Sequence, residues 1–265
     1  MHITLTDAVG FQSTNRASDV EEVQAALKEA ARIVGDARLD PGPVDGDCGV
    51  GTEGAIDWLQ RRFGMRNPDV RVEPVGRTLD RLNALLAIGE AELSYPFDRP
   101  SEFPFHGAGA GMRAFGSRRS GGTRAHAGID LYFPDFTDVL ALADGMVARG
   151  PYAFYLQTFA VEIDHGAFVV RYGEIAPEAA WAVEEGDRVE KGQKIGRVGV
   201  LTNSDGSRLG VPSMMLHLEM YDKTETGKLT RAVGTSARST TGTPFFRRRD
   251  LVDPTAFVRA AAPPV

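Results

Sequence analysis

From about residue 109 the chain is written in short apolar stretches punctuated by glycine, which makes its larger part a β structure. Phe159-Ala160-Val161-Glu162-Ile163 is apolar at alternate positions, Asp164-His165-Gly166 supplies a turn, and Ala167 to Tyr172 returns as a second β-rich run. Together they read as a hairpin. Further strands are expected at Thr137–Leu142, Met146–Arg149, Lys194–Val198 and Met214–Tyr221. Many short strands joined by glycine turns predict an antiparallel sheet with a barrel-like form.

The first ninety residues follow a different period. Val20, Val23, Leu27, Ala30 and Ala31 recur at helical spacing, until Pro41, Gly42, Pro43 and Asp45-Gly46 interrupt it. A second helix is expected from about Thr52, its N-cap, with Ala55, Ile56, Leu59 and Phe63 on one face. A third fits Thr78 to Leu86. Residues 91–108 set Pro96, Pro100 and Pro104 among Tyr95, Phe97, Phe103 and Phe105, the composition of an extended strap that packs on something. The expected fold is therefore α+β: a small three-helix domain over 1–90, a strap over 91–108, the β domain over 109–258 and a flexible tail over 259–265.

Composition narrows the chemistry. A net charge of −6 argues against general nucleic-acid binding, and the run Arg247-Arg248-Arg249 reads as a solvated strand end. The single cysteine, Cys48, can form neither an internal disulfide nor a cysteine-rich zinc site, so a metal centre would be built from the five histidines and the carboxylates. No apolar run approaches the ~20 residues of a membrane span. The first twenty residues carry no apolar core of the kind a secretory signal needs.

Two segments can supply metal ligands. In His126-Ala127-Gly128-Ile129-Asp130 the spacing of four suits a helix face, but Gly128 and the run Leu131-Tyr132-Phe133 favour a loop entering a strand. In Met215-Leu216-His217-Leu218-Glu219 strand periodicity puts Met215, His217 and Glu219 on one face, with Leu216 and Leu218 on the other.

The motifs occur in a telling order. Phe115-Gly116-Ser117-Arg118 is followed by His126-x-Gly128-x-Asp130, Ala143-Asp144-Gly145-x-Val147, Asp164-His165-Gly166, Tyr172, Val183-x-x-Gly186-Asp187-x-Val189-x-x-Gly192-Gln193-x-Ile195-Gly196, Leu216-His217-Leu218-Glu219 and Val252-Asp253-Pro254. Over roughly 110–258 the chain resembles the lysostaphin-type (LytM-like) zinc metallopeptidases, which cut peptide cross-links of bacterial cell walls. The resemblance implies one Zn2+ held by His126, Asp130 and His217, with Glu219 a neighbour. The helical segment, through Val20-x-x-Val23-Gln24-x-x-Leu27 and Asp45-Gly46-x-x-Gly49-x-x-Thr52-x-x-Ala55-Ile56-x-x-Leu59-Gln60, resembles small peptidoglycan-binding domains.

Two positions depart from the family pattern, which usually carries histidine at each. After Tyr172 the chain has Gly173-Glu174, and two residues before His217 it has Met215. Methionine cannot donate or shuttle a proton, whereas glutamate can take one from water. The active reading makes Glu174 the general base, with Arg118, His106 and Met215 as auxiliary or substrate-binding positions and His165 structural. The alternative is a zinc-holding but non-catalytic peptidoglycan-binding or hydrolase-regulating protein. A third reading is a carboxypeptidase trimming stem peptides. Because all three ligands are kept, the enzyme is favoured. The expected partners are peptidoglycan stem and cross-link peptides, with neither nucleic acid nor membrane insertion. Without a signal, delivery to wall or periplasm would need a type VI secretion carrier, where an immunity protein would be a partner, or a phage lysis route.

Overall fold

The computed structural model describes residues 1–133, 136–177, 181–209 and 214–263. Its contacts divide it into two units. The first joins Met1–Ala91 to Gly122–Ala125 and Asp222–Leu251, and the second comprises Glu92–Gly121, His126–Tyr221 and Val252–Val265.

In the first unit the helical period is realised as α1 (Ala17–Val34), α2 (Val50–Arg62) and α3 (Arg77–Glu90). Val20, Val23, Leu27 and Ala30 of α1 are fully buried, as are Ile56 and Leu59 of α2 and Leu82 of α3. Thr52 is not the cap expected for α2. Gly49 holds that position, and Thr52 lies inside the helix, its hydroxyl accepting from Gln24 Nε2 at 3.1 Å. The same buried Gln24 accepts from the backbone N–H of Asp45 (2.9 Å) and Gly46 (3.1 Å). One amide thus fixes the loop that Pro41 and Gly42 begin. A short ladder of β1 (Val9–Gly10) with β2 (Arg71–Val72) completes this layer.

Residues 222–251 are held here by buried charge. Arg81 donates to Asp222 Oδ2 (2.8 Å) and to the carbonyls of Arg249 (2.7 Å) and Leu251 (3.1 Å), and its guanidinium lies 4.2 Å from the Phe63 ring centre. Arg81 and Asp222 are each 1% exposed. The run Arg247-Arg248-Arg249 is correspondingly not the solvated strand end expected: Arg247 and Arg248 are buried, and Arg248 grips Asp250 through two 2.7 Å bonds. Removing one member of a buried pair strands the other charge, at about 3–5 kcal/mol. A chain lacking residues 1–90 is therefore expected to lose cooperative melting and to elute as aggregate on size exclusion. A monodisperse product with a sharp transition would show that residues 222–251 do not need Arg81.

The second unit contains most of the strands. They are β3 (Arg118–Arg119), β5 (Ile129–Tyr132), β6 (Asp138–Leu140), β7 (Gly145–Ala153), β8 (Phe159–Asp164), β9 (Val169–Ile175), β10 (Arg188–Val189), β11 (Lys194–Arg197), β12 (Gly199–Val200) and β13 (Met214–Tyr221), while β4 (Arg124–Ala125) belongs to the first unit. Every pairing is antiparallel, in the order β10-β7-β8-β9-β13-β12, with β5 on the opposite edge of β13 and a separate β6–β11 ribbon. The sheet stays open. Among the described residues no ladder joins β10 to β12 or to β5, so the barrel-like closure expected from sequence is absent.

The proline and aromatic segment packs along this sheet as a strap. Leu140 donates to the Pro96 carbonyl (2.9 Å), Glu102 to the Tyr132 carbonyl (3.0 Å), and the rings of Phe97 and Phe133 lie 3.8 Å apart. The α4 helix (Thr255–Ala260) buries Phe257 and Val258, so the expected tail is helical at its start, and its last two residues, 264 and 265, lie outside the described ones. Among the described residues no helix is long and apolar enough to cross a membrane.

Candidate metal centre

The sheet register assembles the site. Strand β13 is central, so His217 stands opposite Asp130 of β5 on one edge and Gly173 of β9 on the other. Alternation along β13 then puts Met215, His217 and Glu219 on one face and leaves Leu216 and Leu218 on the other. His126 lies three residues ahead of β5, in the loop-into-strand arrangement. Its backbone is fixed at both ends, donating to the Ser117 carbonyl and accepting from Gly116, each at 2.8 Å. Gly128 is needed between the two ligands, because a Cβ there would lie 2.3 Å from the Leu218 carbonyl oxygen and 3.0 Å from His217 Cε1.

Three ligand atoms converge. His217 Nδ1 is 2.8 Å from Asp130 Oδ1, His126 Nε2 is 3.0 Å from the same oxygen, and the two nitrogens are 3.1 Å apart. The cluster within 4.8 Å consists of His126, Asp130 and His217, all buried. Each imidazole is oriented from behind. His126 Nδ1 bonds the Ala114 carbonyl (2.9 Å) and His217 Nε2 bonds Glu219 Oε1 (3.0 Å). Acceptors on the outer nitrogens direct the inner lone pairs to one point, as metal-ligating histidines require. Asp130 keeps Oδ1 for that point because Arg119 Nη2 occupies Oδ2 at 2.7 Å.

The electrostatics of the cluster favour positive charge. Burial pushes the His126 imidazole down, against the pull of Asp130. Burial acts the same way on His217, but its hydrogen bonds to Asp130 and Glu219 outweigh this and lift it to about 9. A proton thus does at Nδ1 what a divalent cation would do. Burial also opposes ionisation of Asp130, yet the two histidines hold it well below the usual carboxylate range.

Glu174 reaches this neighbourhood through a bulge. The β8–β9 register shifts between Phe159 and Ala160, and Glu174 has φ +65°, a conformation glutamate seldom adopts. Such an extra residue re-aims a side chain. The Glu174 carboxyl is buried, its Oε2 has no hydrogen-bond partner among the described residues, and it lies outside the 4.8 Å cluster. Burial first, then the Asp130 charge, raise it to about 8, against opposing contributions from His217 and Arg119. An unsatisfied buried carboxyl coupled to Asp130 and His217 fits a cation site, where a bound cation would favour its ionised form.

The other sequence candidates fall as follows. Met215 is buried in an apolar cluster with Tyr132 and Leu201. Arg118 is exposed, and its neighbour Arg119 makes the carboxylate contact. His106 is half-buried, 5.1 Å from the ring of Phe105, with no bond to the ligand cluster among the described residues. His165 is structural, bonded to the Asp144 carbonyl (3.1 Å) and the Tyr172 hydroxyl (3.0 Å). Sequence reading missed three features: Arg119, Phe154, whose ring stacks on His217 at 6.0 Å, and the support behind Glu219. In that support Arg171 binds Glu219 Oε2 (2.9 Å) and Glu162 Oε1 (2.8 Å), and the Tyr221 hydroxyl donates to Glu219. The alternation of β3 gave a signal that one of the two adjacent arginines faces inward, but not which.

Two imidazoles and a carboxylate are the three-ligand donor set of a candidate catalytic metal centre rather than the closed four-ligand set of a structural one. Residues 124–228, which hold all three candidate ligand residues, match peptidase family M23. No curated protein matches the chain. Similar solved structures include a candidate M23 peptidase from Pseudomonas aeruginosa (21% identity, covering 63% of this chain and 50% of that one, TM-score 0.36). Lysostaphin from Staphylococcus simulans matches at 18% identity over 51% of this chain and 45% of its own (TM-score 0.35). A zinc-containing peptidase from Vibrio cholerae matches at 23% identity over 50% and 37% (TM-score 0.34). The chain spans about half the length of the first two.

Proposed function

We propose that the chain is a zinc-dependent peptidoglycan hydrolase that cuts an amide bond in the cross-link peptides of the bacterial cell wall. The observation that carries this reading is the convergence of His126 Nε2, Asp130 Oδ1 and His217 Nδ1 beside the unsatisfied Glu174 carboxyl. The match of residues 124–228 to a peptidase family supports it. A zinc ion held by those three residues supplies Lewis acidity, polarising the scissile carbonyl and making water a nucleophile near neutral pH. Glu174 is the general base. It takes a proton from water as the new carbon–oxygen bond forms and returns it to the amide nitrogen as the carbon–nitrogen bond breaks. Asp130 is held in place by Arg119, and His217 by Glu219. In this reading the unit that holds His126, Asp130, His217 and Glu174 does the chemistry, while the helical residues 1–90 hold wall polymer.

The test is mass analysis of sacculi digested by the intact chain, with zinc content measured in parallel. About one zinc per chain and release of un-cross-linked muropeptides are expected. His217→Ala should lose both, since two ligands rarely hold zinc against a chelator. Full zinc retention in that variant would remove the ligand assignment. A zinc-loaded wild type that releases no muropeptide would leave only wall binding.

A further inference from the structure

We propose that Tyr132 is a further catalytic residue, its phenol donating a hydrogen bond to the substrate's carbonyl oxygen as that oxygen gains negative charge. This rests on the hydrolase reading above. Amide hydrolysis places charge on the carbonyl oxygen, and a fixed donor aimed there is among the largest contributions a protein can make.

Arg119 donates to Asp130 Oδ2, and the outer nitrogens of His126 and His217 face the Ala114 carbonyl and Glu219. Met215 has no hydrogen to give. Tyr132 does, and β5 sets it where it can act. Asp130 and Tyr132 are two residues apart on one strand and share a face. The register that puts Asp130 opposite His217 puts Tyr132 opposite Met215. The ring is held firmly by Met215 and Leu201, with Leu156 and Leu209 packed against them, and it meets Phe103 edge-on at 5.9 Å. The Arg113 guanidinium lies 5.8 Å from its centre. Tyr132 thus lies on the ligand-bearing face, two residues along β5 from Asp130 and one same-face pair from His217. Among the described residues no group forms a hydrogen bond with that hydroxyl, while the Tyr132 backbone N–H is bonded to Ser101 Oγ at 2.9 Å. A rigid ring carrying an unspent donor costs little reorganisation when the charge develops.

Tyr132→Phe keeps the ring and removes the donor. With the zinc-loaded intact chain, the rate of muropeptide release from sacculi should fall about 10²–10³-fold. Zinc content and melting temperature should match wild type. Calorimetry gives a readout independent of turnover. The variant should bind an alanyl-alanine phosphinate analogue, which carries the tetrahedral oxyanion, more weakly than wild type, and plain alanyl-alanine equally well. A variant releasing muropeptides within a few-fold of wild type would overturn the role of Tyr132 and leave the hydrolase reading standing. Loss of zinc, or an early melt, would make Tyr132 structural and overturn it as well. A wild type that releases nothing overturns both.

Discussion

Glu174→Gln is expected to keep its fold and its metal and to lose about 10²–10⁴-fold of peptidoglycan turnover, the usual contribution of a general base. The amide has nearly the shape of the carboxyl but cannot accept the proton. The metal should stay because the ligand cluster comprises His126, Asp130 and His217 without Glu174. A second signature belongs to the metal-free chain. Glu174 is raised to about 8 by burial and by Asp130, so between its ordinary value and that one the native state binds more protons than the unfolded state. Its contribution to stability is present in full below about pH 4.5 and is lost as pH rises through about 8. Replacing it by glutamine should flatten this decline in urea titrations run from pH 5 to 8. Zinc should do the same in the wild type, since a nearby cation favours the carboxylate. Near-normal cleavage by the glutamine variant would send the search for a base elsewhere, with His106 the first candidate.

Arg171→Met should be the most destabilising single change in the β unit. Arg171 lies between two buried carboxylates, Glu219 at 2.9 Å and Glu162 at 2.8 Å, and is 1% exposed. Tyr152 also donates to Glu162, and Tyr221 to Glu219. Taking out Arg171 removes the buried guanidinium that the two carboxylates share, leaving Arg149 at 3.8 Å from Glu162 and His217 at 3.0 Å from Glu219. Breaking a buried pair costs about 3–5 kcal/mol, read at neutral pH as the shift in the urea midpoint at constant slope. Metal affinity should fall too, by roughly 10–100-fold, because Glu219 then no longer holds the His217 ring firmly. A destabilisation under about 1 kcal/mol would put this network on a par with surface ion pairs.

The row that makes Arg171 so consequential shows where sequence reading stopped. Glu162, Arg171 and Glu219 are 9 and 48 residues apart along the chain. They become neighbours because β8, β9 and β13 pair with Glu162 opposite Arg171 and Arg171 opposite Glu219. Strand periodicity assigned Glu219 to the His217 face, but register is set across strands and could not be counted from one of them. Glu174 shows the same limit in reverse. Strict alternation after Gly173 would turn it away from the ligands, and only the bulge brings it back. Thr52 and Arg247-Arg248 were misplaced because local preference, for capping and for solvent, yielded to partners distant in sequence: Gln24 for the first, and the interior of the first unit for the second.

The sequence by itself determined what repeats over short distances. The helical period over residues 17–34, the hairpin around Asp164-His165-Gly166, the loop-into-strand entry at His126 and the two-faced strand Met214–Tyr221 follow from side-chain spacing, and one face of each must leave water. With one cysteine and five histidines, it also left few ways to build a metal centre. The tertiary structure decided the rest. It kept the sheet open, returned residues 222–251 to the helical unit, chose Arg119 over Arg118, put Tyr132 opposite Met215 beside the Asp130–His217 pair, and placed Glu174 in a bulge. Each of these turns on ladder register, a backbone bulge or a buried charge finding its opposite, and such pairings take their energy from partners brought close only when the chain has folded.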